Sequence, residues 1–517
     1  MSQKISRTEV ITIVTVISAA VLEIIDATIV NIAIPDLMGN LGATITEVGW
    51  VITSYAAANI VMIALSAWMS SKLGRRRYFV LSIGIFTVGS LFCGFSTSIW
   101  ELVFFRFIQG MGGGALLATA QAIIVETFPK NRLNFANAIF GMGIVLGPAI
   151  GPVLGGYILQ SISWNWIFFI NIPLGFAATV LAYVFIKEPK EVSETGKMDW
   201  IGLFLLVVGL GSLLTFLENG QDAGWFDATY IRWLAATTIL GSVLFVIRQT
   251  RAKYPIVHFR VLKNLYFSFG LLINMLVAMG MAATFLILPL FAQNLLKMDS
   301  FQTGLLILPG VIIIIIVLPL VGRLPQKKNQ LVLYMTVGFI LMIIYNVWVA
   351  GYNDKAGKMD FLQPVLVRGV ALSLLYTSLA TLTLIELKGK LIAEGTGLFN
   401  LIRKVGNSVG VAITVTFISR RIDLYEKLIN DEVHSTSTTV LATLNKFESF
   451  YFLTGMSAQE AAASATEIIA MSVTQQAFLL TYLDTFRLTA TFFAICIPVI
   501  FILYILRKIK KNYVPPV

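Results

Sequence analysis

A chain of 517 residues that is 57% apolar, 13% charged and has a mean hydropathy of +0.83 cannot be an ordinary soluble domain. Its formal charge of +11 invites a nucleic-acid reading, which the placement of the basic residues sets aside. Cys93 and Cys496 both fall in apolar runs, so no disulfide framework is expected. His258 and His434 stand far apart without companion ligands, so neither a metal nor another cofactor is expected.

Apolar runs separated by charged or Gly/Pro-rich punctuation predict an all-α polytopic membrane protein with fourteen transmembrane helices. They run over residues 10–34, 47–70, 78–97, 100–126, 135–159, 166–187, 199–218, 230–249, 265–292, 301–322, 330–351, 360–386, 398–419 and 485–506. The first is too long for the core of a signal peptide and lacks a small-residue cleavage site, so it counts as a span. With the N-terminus inside, and Lys187 and Arg248 at the inner span ends counted as cytoplasmic, 25 of the 38 Lys and Arg lie on the cytoplasmic side and seven outside, with the rest in spans. That asymmetry orients the chain with both termini cytoplasmic and absorbs most of the basic excess. No nucleotide-binding glycine loop or hydrolase motif occurs, so the chain is expected not to be an enzyme, and an ion gradient is the expected energy source.

In the first helix, Glu23 and Asp26 lie three residues apart on one face near mid-span. A carboxylate at that depth costs about 2.5–3.5 kcal/mol on insertion scales. Desolvation and a like-charged neighbour favour its protonated form, which suits reversible proton binding. The alternative is a carboxylate held permanently ionised by a cation, and Arg106 in the fourth span is the natural partner. On this reading Asp26→Asn stays folded in the membrane and loses proton-driven transport. The Gly74–Arg77 cluster reads as a topology anchor, or as an inner-side latch between bundles pairing with Glu126 or another helix end. Tyr55, Asn59, Gln121, Asn274, Tyr345 and Tyr376 are mid-span groups that suit a substrate cavity, although each taken singly is also an ordinary packing residue.

The stretch Gly141–Gly156, GMGIVLGPAIGPVLGG, repeats Gly143, Gly147, Gly151 and Gly155 every fourth residue, with Pro148 and Pro152 in the same spacing and Gly156 closing the run. Four positions without side chains on one ridge make a groove for a neighbouring helix. The stretch therefore reads either as a packing face or as a bent, sealing helix between two halves of a transporter. Lys72–Arg77 is echoed by Arg323–Lys328, and Gln109-Gly110 by Arg368-Gly369. The order suggests a six-helix bundle in 1–190, an inserted helix pair in 191–255 and a second bundle in 256–517. Residues 420–484 form one long outer loop, polar and helical in pattern, with a capped helix start at Ser457. Ala461, Ala462, Ala463 and Ala465 offer it a small-residue surface, and Tyr425, Phe447, Phe450, Tyr451 and Phe452 offer aromatic anchors for a partner or a lid.

Ile25–Pro35, Arg106–Gly110, the glycine–proline ladder, Trp50–Asn59 and Trp164–Gly175 together resemble the signatures of fourteen-span drug:proton antiporters of the major facilitator superfamily, over nearly the whole chain. The resemblance implies two six-helix bundles plus two inserted helices and export of amphipathic or cationic small molecules by alternating access. It makes Asp26 the family's first-helix acid, Arg106 its fourth-helix arginine and the ladder its antiporter motif. It also implies a bacterial inner-membrane location and, as partners beside drug, proton and lipid, a periplasmic membrane-fusion adaptor and an outer-membrane channel. Nucleic acid is not among the expected partners. The chain departs from the family with Ala67 and Ser71 where a glycine and an aspartate are usual, with Asn165 where an arginine is common, and with Glu23 as an additional acid. Two other readings stand beside this one: a dedicated exporter of one metabolite, lipid or siderophore, and a non-transporting receptor or assembly subunit.

Overall fold

The computed structural model describes residues 7–512, except 31, 130–131, 187, 189–197, 222, 258, 326, 354–355, 386, 388–389 and 433–437. His258 and His434, the boundary set between residues 190 and 191, and the side chains of Pro148 and Pro152 lie outside the described residues.

Among the described residues there are seventeen α-helices and no strand. In chain order they are α1 (Arg7–Ile29), α2 (Ile34–Leu41), α3 (Ile45–Leu73), α4 (Arg75–Phe95), α5 (Ile99–Thr127) and α6 (Leu133–Ser161). Then come α7 (Trp166–Phe169), α8 (Asn171–Phe185), α9 (Trp200–Asn219), α10 (Thr229–Arg251), α11 (Leu265–Asn294) and α12 (Ser300–Gly322). The chain finishes with α13 (Lys328–Val349), α14 (Leu362–Leu384), α15 (Lys390–Glu432), α16 (Thr438–Leu453) and α17 (Ala458–Asn512). Counting α7 and α8 as one span, and leaving aside the short α2 and the α16 of the 420–484 segment, fourteen cross the membrane. Thirteen spans are long and apolar enough by length and hydropathy, and α6 is the fourteenth, 29 residues long with an apolar stretch at Leu133–Ile144.

Helix starts follow local chemistry. At α3, Glu47 N–H donates to Thr44 Oγ1 at 3.3 Å while Thr44 N–H donates to Glu47 Oε2 at 2.8 Å, a reciprocal cap. Ser457 and Glu460 repeat that arrangement ahead of α17, where the sequence pattern places a capped start. Asp199 caps α9 through Gly202 N–H at 3.1 Å and also accepts from Arg248 Nε at 3.0 Å and Gln249 Nε2 at 3.0 Å, which pins α9 to α10. Burial opposes charge on Asp199, but Arg248 and these hydrogen bonds outweigh it and hold the carboxyl below its usual range.

The last two spans differ from their sequence bounds. The expected 398–419 and 485–506 are parts of α15, 43 residues long, and α17, 55 residues long. Hydropathy marks where a helix leaves lipid but not where it ends, and no glycine or proline interrupts residues 411–432 or 458–497. The 420–484 segment is therefore built from two helices that run on past their apolar spans, with α16 packed on α17. Ala461 and Ala465 are fully buried there rather than part of a docking surface, and Phe450 and Phe452 are the exposed aromatics. Tyr425 Oη donates to Asp484 Oδ2 at 2.6 Å and ties α15 to α17 just outside the span.

Spans of the first half pack on one another (α1 on α6, α3 and α4 on α5, α4 on α8), as do spans of the second (α11 on α15, α12 and α13 on α14, α13 on α17). Helices α9 and α10 pair, and α9 touches α3 and α15. The Gln109-Gly110 and Arg368-Gly369 echo has a spatial counterpart. Gly110 abuts the backbone of Tyr55 on α3, and Gly369 abuts that of Gly310 on α12. The halves meet where α6 packs on α12 and α14, and α15 on α3 and α5. At the end where α6 begins and α12 and α14 finish, Asn134 Nδ2 donates to Val321 O at 3.1 Å. Thr381 Oγ1 donates to Asn134 Oδ1 at 2.9 Å, and Asn137 Nδ2 donates to Thr381 Oγ1 at 3.2 Å. This contact between halves is uncharged. The Gly74–Arg77 cluster does not bridge the halves at the residues described: Arg75 pairs with Glu126 of α5, and Arg76 N–H donates to Glu188 at 3.1 Å, all within the first half.

Candidate functional site

The two acids of α1 have opposite surroundings. Asp26 is fully buried, and both its oxygens are engaged. Arg106 Nη1 donates to Oδ2 at 2.5 Å, while Gln109 Nε2 and Asn171 Nδ2 both donate to Oδ1 at 2.8 Å. Arg106 also donates to Gln109 Oε1 at 2.8 Å, and its guanidinium lies 4.1 Å from the Tyr55 ring centroid. Gln109 follows Arg106 by one helical turn, so α5 presents both to the same carboxylate. Asn171 arrives by a different device. The turn at Ile170 ends α7 and starts α8, which makes Asn171 the first residue of the new helix. Ser90 Oγ donates to the Phe168 carbonyl at 2.9 Å, and Asn165 Nδ2 donates to Gly94 O at 2.7 Å, tying α7 to α4.

Glu23, one turn earlier, is also buried, but Asn59 Nδ2 donates to Oε1 at 3.0 Å while Oε2 has no hydrogen-bond partner. Glu23 lines a cavity of about 560 Å³ between the halves, a volume suited to a drug-sized ligand. Asn59 and Tyr376 line it too, with Phe285, Arg368, Arg403 and Lys404. Arg403 and Lys404, on α15, lie within electrostatic reach of Glu23. The lining reaches from mid-span to Ile32, Gln293 and Thr303, away from the end that the Asn134–Thr381 contact closes.

The remaining cavity candidates are distributed differently. Gln121 and Asn274 line a separate pocket of about 20 Å³, which they share with Tyr376 and Arg403. Gln121 accepts from Asn400 at 2.8 Å across the halves, and Asn274 donates to Phe399 O at 2.7 Å. Tyr55 stacks on Arg106 and Tyr345 lies beside Arg368, 5.6 Å from ring centroid to guanidinium; neither is among the residues lining the large cavity.

The glycine ladder faces α1. A Cβ built on Gly143 would meet Ile17 and Val21 at 2.9 Å, one on Gly155 would meet Ile29 at 2.8 Å, and those on Gly147 and Gly151 would collide with Ile24 and Thr28. Gly156 has open space around its Cβ position and is not part of that ridge. The ladder therefore sets the distance between α6 and the helix that carries both acids. Gly147→Leu is expected to push α1 off α6 and make proteoliposomes leak a pH gradient, while Gly156→Ala leaves them tight. Equal leakage from the two variants would refute this assignment.

From the sequence alone, no site role fell to Ser90, Arg403 or Lys404; Asn171 and Gln109 stood only within family signatures or a repeat, and Arg368 only as a repeat marker. Two signals were available: charged residues inside the 360–386 and 398–419 spans, and an amide one turn from a buried arginine.

The Major Facilitator Superfamily model matches residues 16–411. The multidrug export protein EmrB of Escherichia coli K12 is 30% identical over 480 residues, 92% of each chain. The fatty acid resistance protein FarB of Neisseria gonorrhoeae is 30% identical over 94% of each. Among solved structures, the human organic anion transporter MFSD10 superposes with a TM-score of 0.58 at 13% identity, covering 95% of this chain and all of that one, and so shares the fold. Fourteen membrane helices, a cavity between two helical halves and whole-length similarity together place this chain in the Major Facilitator Superfamily, in the family that contains the EmrB export proteins.

Proposed function

We propose that this protein is a proton-coupled multidrug efflux transporter of the inner membrane that works by alternating access. The observation that carries the reading is the contrast between the two acids of α1. Asp26 is locked in an ion pair, whereas Glu23 presents an unpartnered oxygen beside a drug-sized cavity. Glu23 belongs to the first half, and the cations Arg403 and Lys404 opposite it belong to the second. Protonating Glu23 removes an attraction between the halves, and a proton thereby biases their reorientation. Asp26 and Arg106 hold α1, α5 and α8 in one rigid unit through that movement. Drug-like amphipathic molecules are the substrates, protons enter from outside, and no covalent chemistry is involved.

The similarity to EmrB export proteins supports this reading. The division into a bundle at 1–190, an inserted pair at 191–255 and a bundle at 256–517 belongs to the same proposal, as does the cytoplasmic position of both termini. A cysteine replacing Lys446 on α16 should then react with impermeant reagents from outside only; reaction from the cytoplasmic side alone would invert the topology. Purified protein in vesicles should move a fluorescent amphipathic drug toward the more acidic side when a pH gradient is imposed. Absence of gradient-dependent movement for a broad panel of drugs would end the proton-coupled reading.

The outer segment 420–484 is assigned to docking a periplasmic membrane-fusion adaptor that leads to an outer-membrane channel. Its support is α16, whose Phe450, Phe452 and Leu453 are 59%, 59% and 85% exposed, adjacent apolar groups open to a partner. Replacing residues 435–470 with a Gly/Ser linker should preserve vesicle transport and lose co-purification of the adaptor; retained co-purification would dismiss docking. A dedicated exporter of one lipid is the second reading, and the name of the Neisseria relative favours it.

A further inference from the structure

The charges around the cavity do not balance, and the imbalance has a definite place. Glu23 faces Arg403 and Lys404, and Lys404 also lies within electrostatic reach of Glu218 on α9, to which Thr53 Oγ1 donates at 3.5 Å. Two acids therefore stand near two bases. Arg368 of α14 has no such company. It lines the cavity, is 3% exposed, forms no ion pair among the described residues, and its Nε and Nη1 have no hydrogen-bond partner. Its neighbours are the rings of Phe285 and Tyr345, with centroids 5.9 and 5.6 Å from the guanidinium carbon.

A guanidinium cannot shed its charge by losing a proton. Buried without a counter-ion, it is an uncompensated charge of the kind that folded proteins pair or use. Its planar fork fits the two oxygens of a carboxylate. The cavity wall beside it is apolar, formed by Phe285, Leu286, Ile314 and Leu372. The geometry points to Arg368 as the head-group site for an amphipathic monoanion, a carboxylate on an apolar body, rather than for a cationic drug. The inference rests on the export reading above and narrows its substrate class. The head group and the proton then bind on different helices, Arg368 of α14 and Glu23 of α1. Exchange therefore depends on which loaded states reorient, not on competition for one charge.

The test is equilibrium binding to purified full-length protein in neutral detergent, without any gradient, using decanoate and decyltrimethylammonium as probes with equal tails and opposite heads. Decanoate should bind and the ammonium should bind more weakly. Arg368→Met should weaken decanoate binding at least about tenfold, the factor that a lost charge-assisted hydrogen bond carries, without weakening binding of the ammonium. Removing an unpaired buried charge should not harm folding, which a monodisperse elution profile checks, and Arg368→Lys should recover part of the affinity. Failure of decanoate to bind, tighter binding of the ammonium, or unchanged decanoate binding by Arg368→Met would each overturn the assignment. A protein that binds decanoate through Arg368 but does not move it in response to a pH gradient would overturn proton coupling and leave this site standing.

Discussion

Glu23→Gln is expected to reduce pH-driven drug movement to the background of protein-free vesicles while the protein remains folded and still binds drug. The amide matches the carboxylate in shape, and its oxygen can still accept from Asn59, as Oε1 does at 3.0 Å. What it loses is the ability to alternate between a charged and a neutral state opposite Arg403 and Lys404. Exchange of labelled for unlabelled drug at equal pH on both sides needs no proton, so it should continue. Glu23→Gln vesicles that still respond fully to a pH gradient would move the proton to another group. Asp26 would then have to leave its ion pair during the cycle. Retained binding matters as much as lost transport, because a variant that bound nothing would say only that the cavity had collapsed.

Much of this arrangement was legible in the residues, and the parts that were not share a physical cause. Charged groups inside apolar spans are rare enough to stand out, so Glu23, Asp26 and Arg106 could be paired from composition and depth alone. The spacing of four in Gly143–Gly155 likewise showed a groove, though not that α1 fills it. Which acid is satisfied and which is free could not be read, because the answer depends on Asn171. That residue lies 145 positions from Asp26 in the chain, and periodicity reports the face of a helix but not a contact over such a separation. Arg368 looked like a repeat marker because its significance lies in what is missing around it, which a sequence does not display. The uncharged contact at Asn134, Asn137 and Thr381 shows the same limit. Ser71 stands where the family's aspartate is usual, but the amide–hydroxyl contact between the halves joins residues more than 240 positions apart.

Asp26→Asn is expected to fail for a reason the sequence alone does not suggest. A neutral amide at mid-membrane normally lightens the cost of burial, so the variant reads from sequence as folded and merely uncoupled. In the structure, Oδ1 accepts from two amide nitrogens, those of Gln109 and Asn171, and Oδ2 accepts from Arg106. An asparagine has one oxygen and one NH2 group. Turned one way its NH2 faces the guanidinium, and turned the other way it faces both amides, so donors meet donors in either orientation. Arg106, 1% exposed, is left charged without the one ion-pair partner it has among the described residues, and breaking a buried pair in this way costs about 3–5 kcal/mol. Asp26→Asn should therefore unfold at markedly lower temperature in detergent and reach the membrane in reduced amount. Arg106→Gln in the same chain should restore much of the loss, because it removes the stranded charge and supplies an acceptor. That recovery separates an ion pair that holds three helices together from an acid that cycles a proton, since a second substitution cannot restore a lost proton carrier. An Asp26→Asn protein with the thermal stability of the parent and no pH response would make Asp26, not Glu23, the coupling acid.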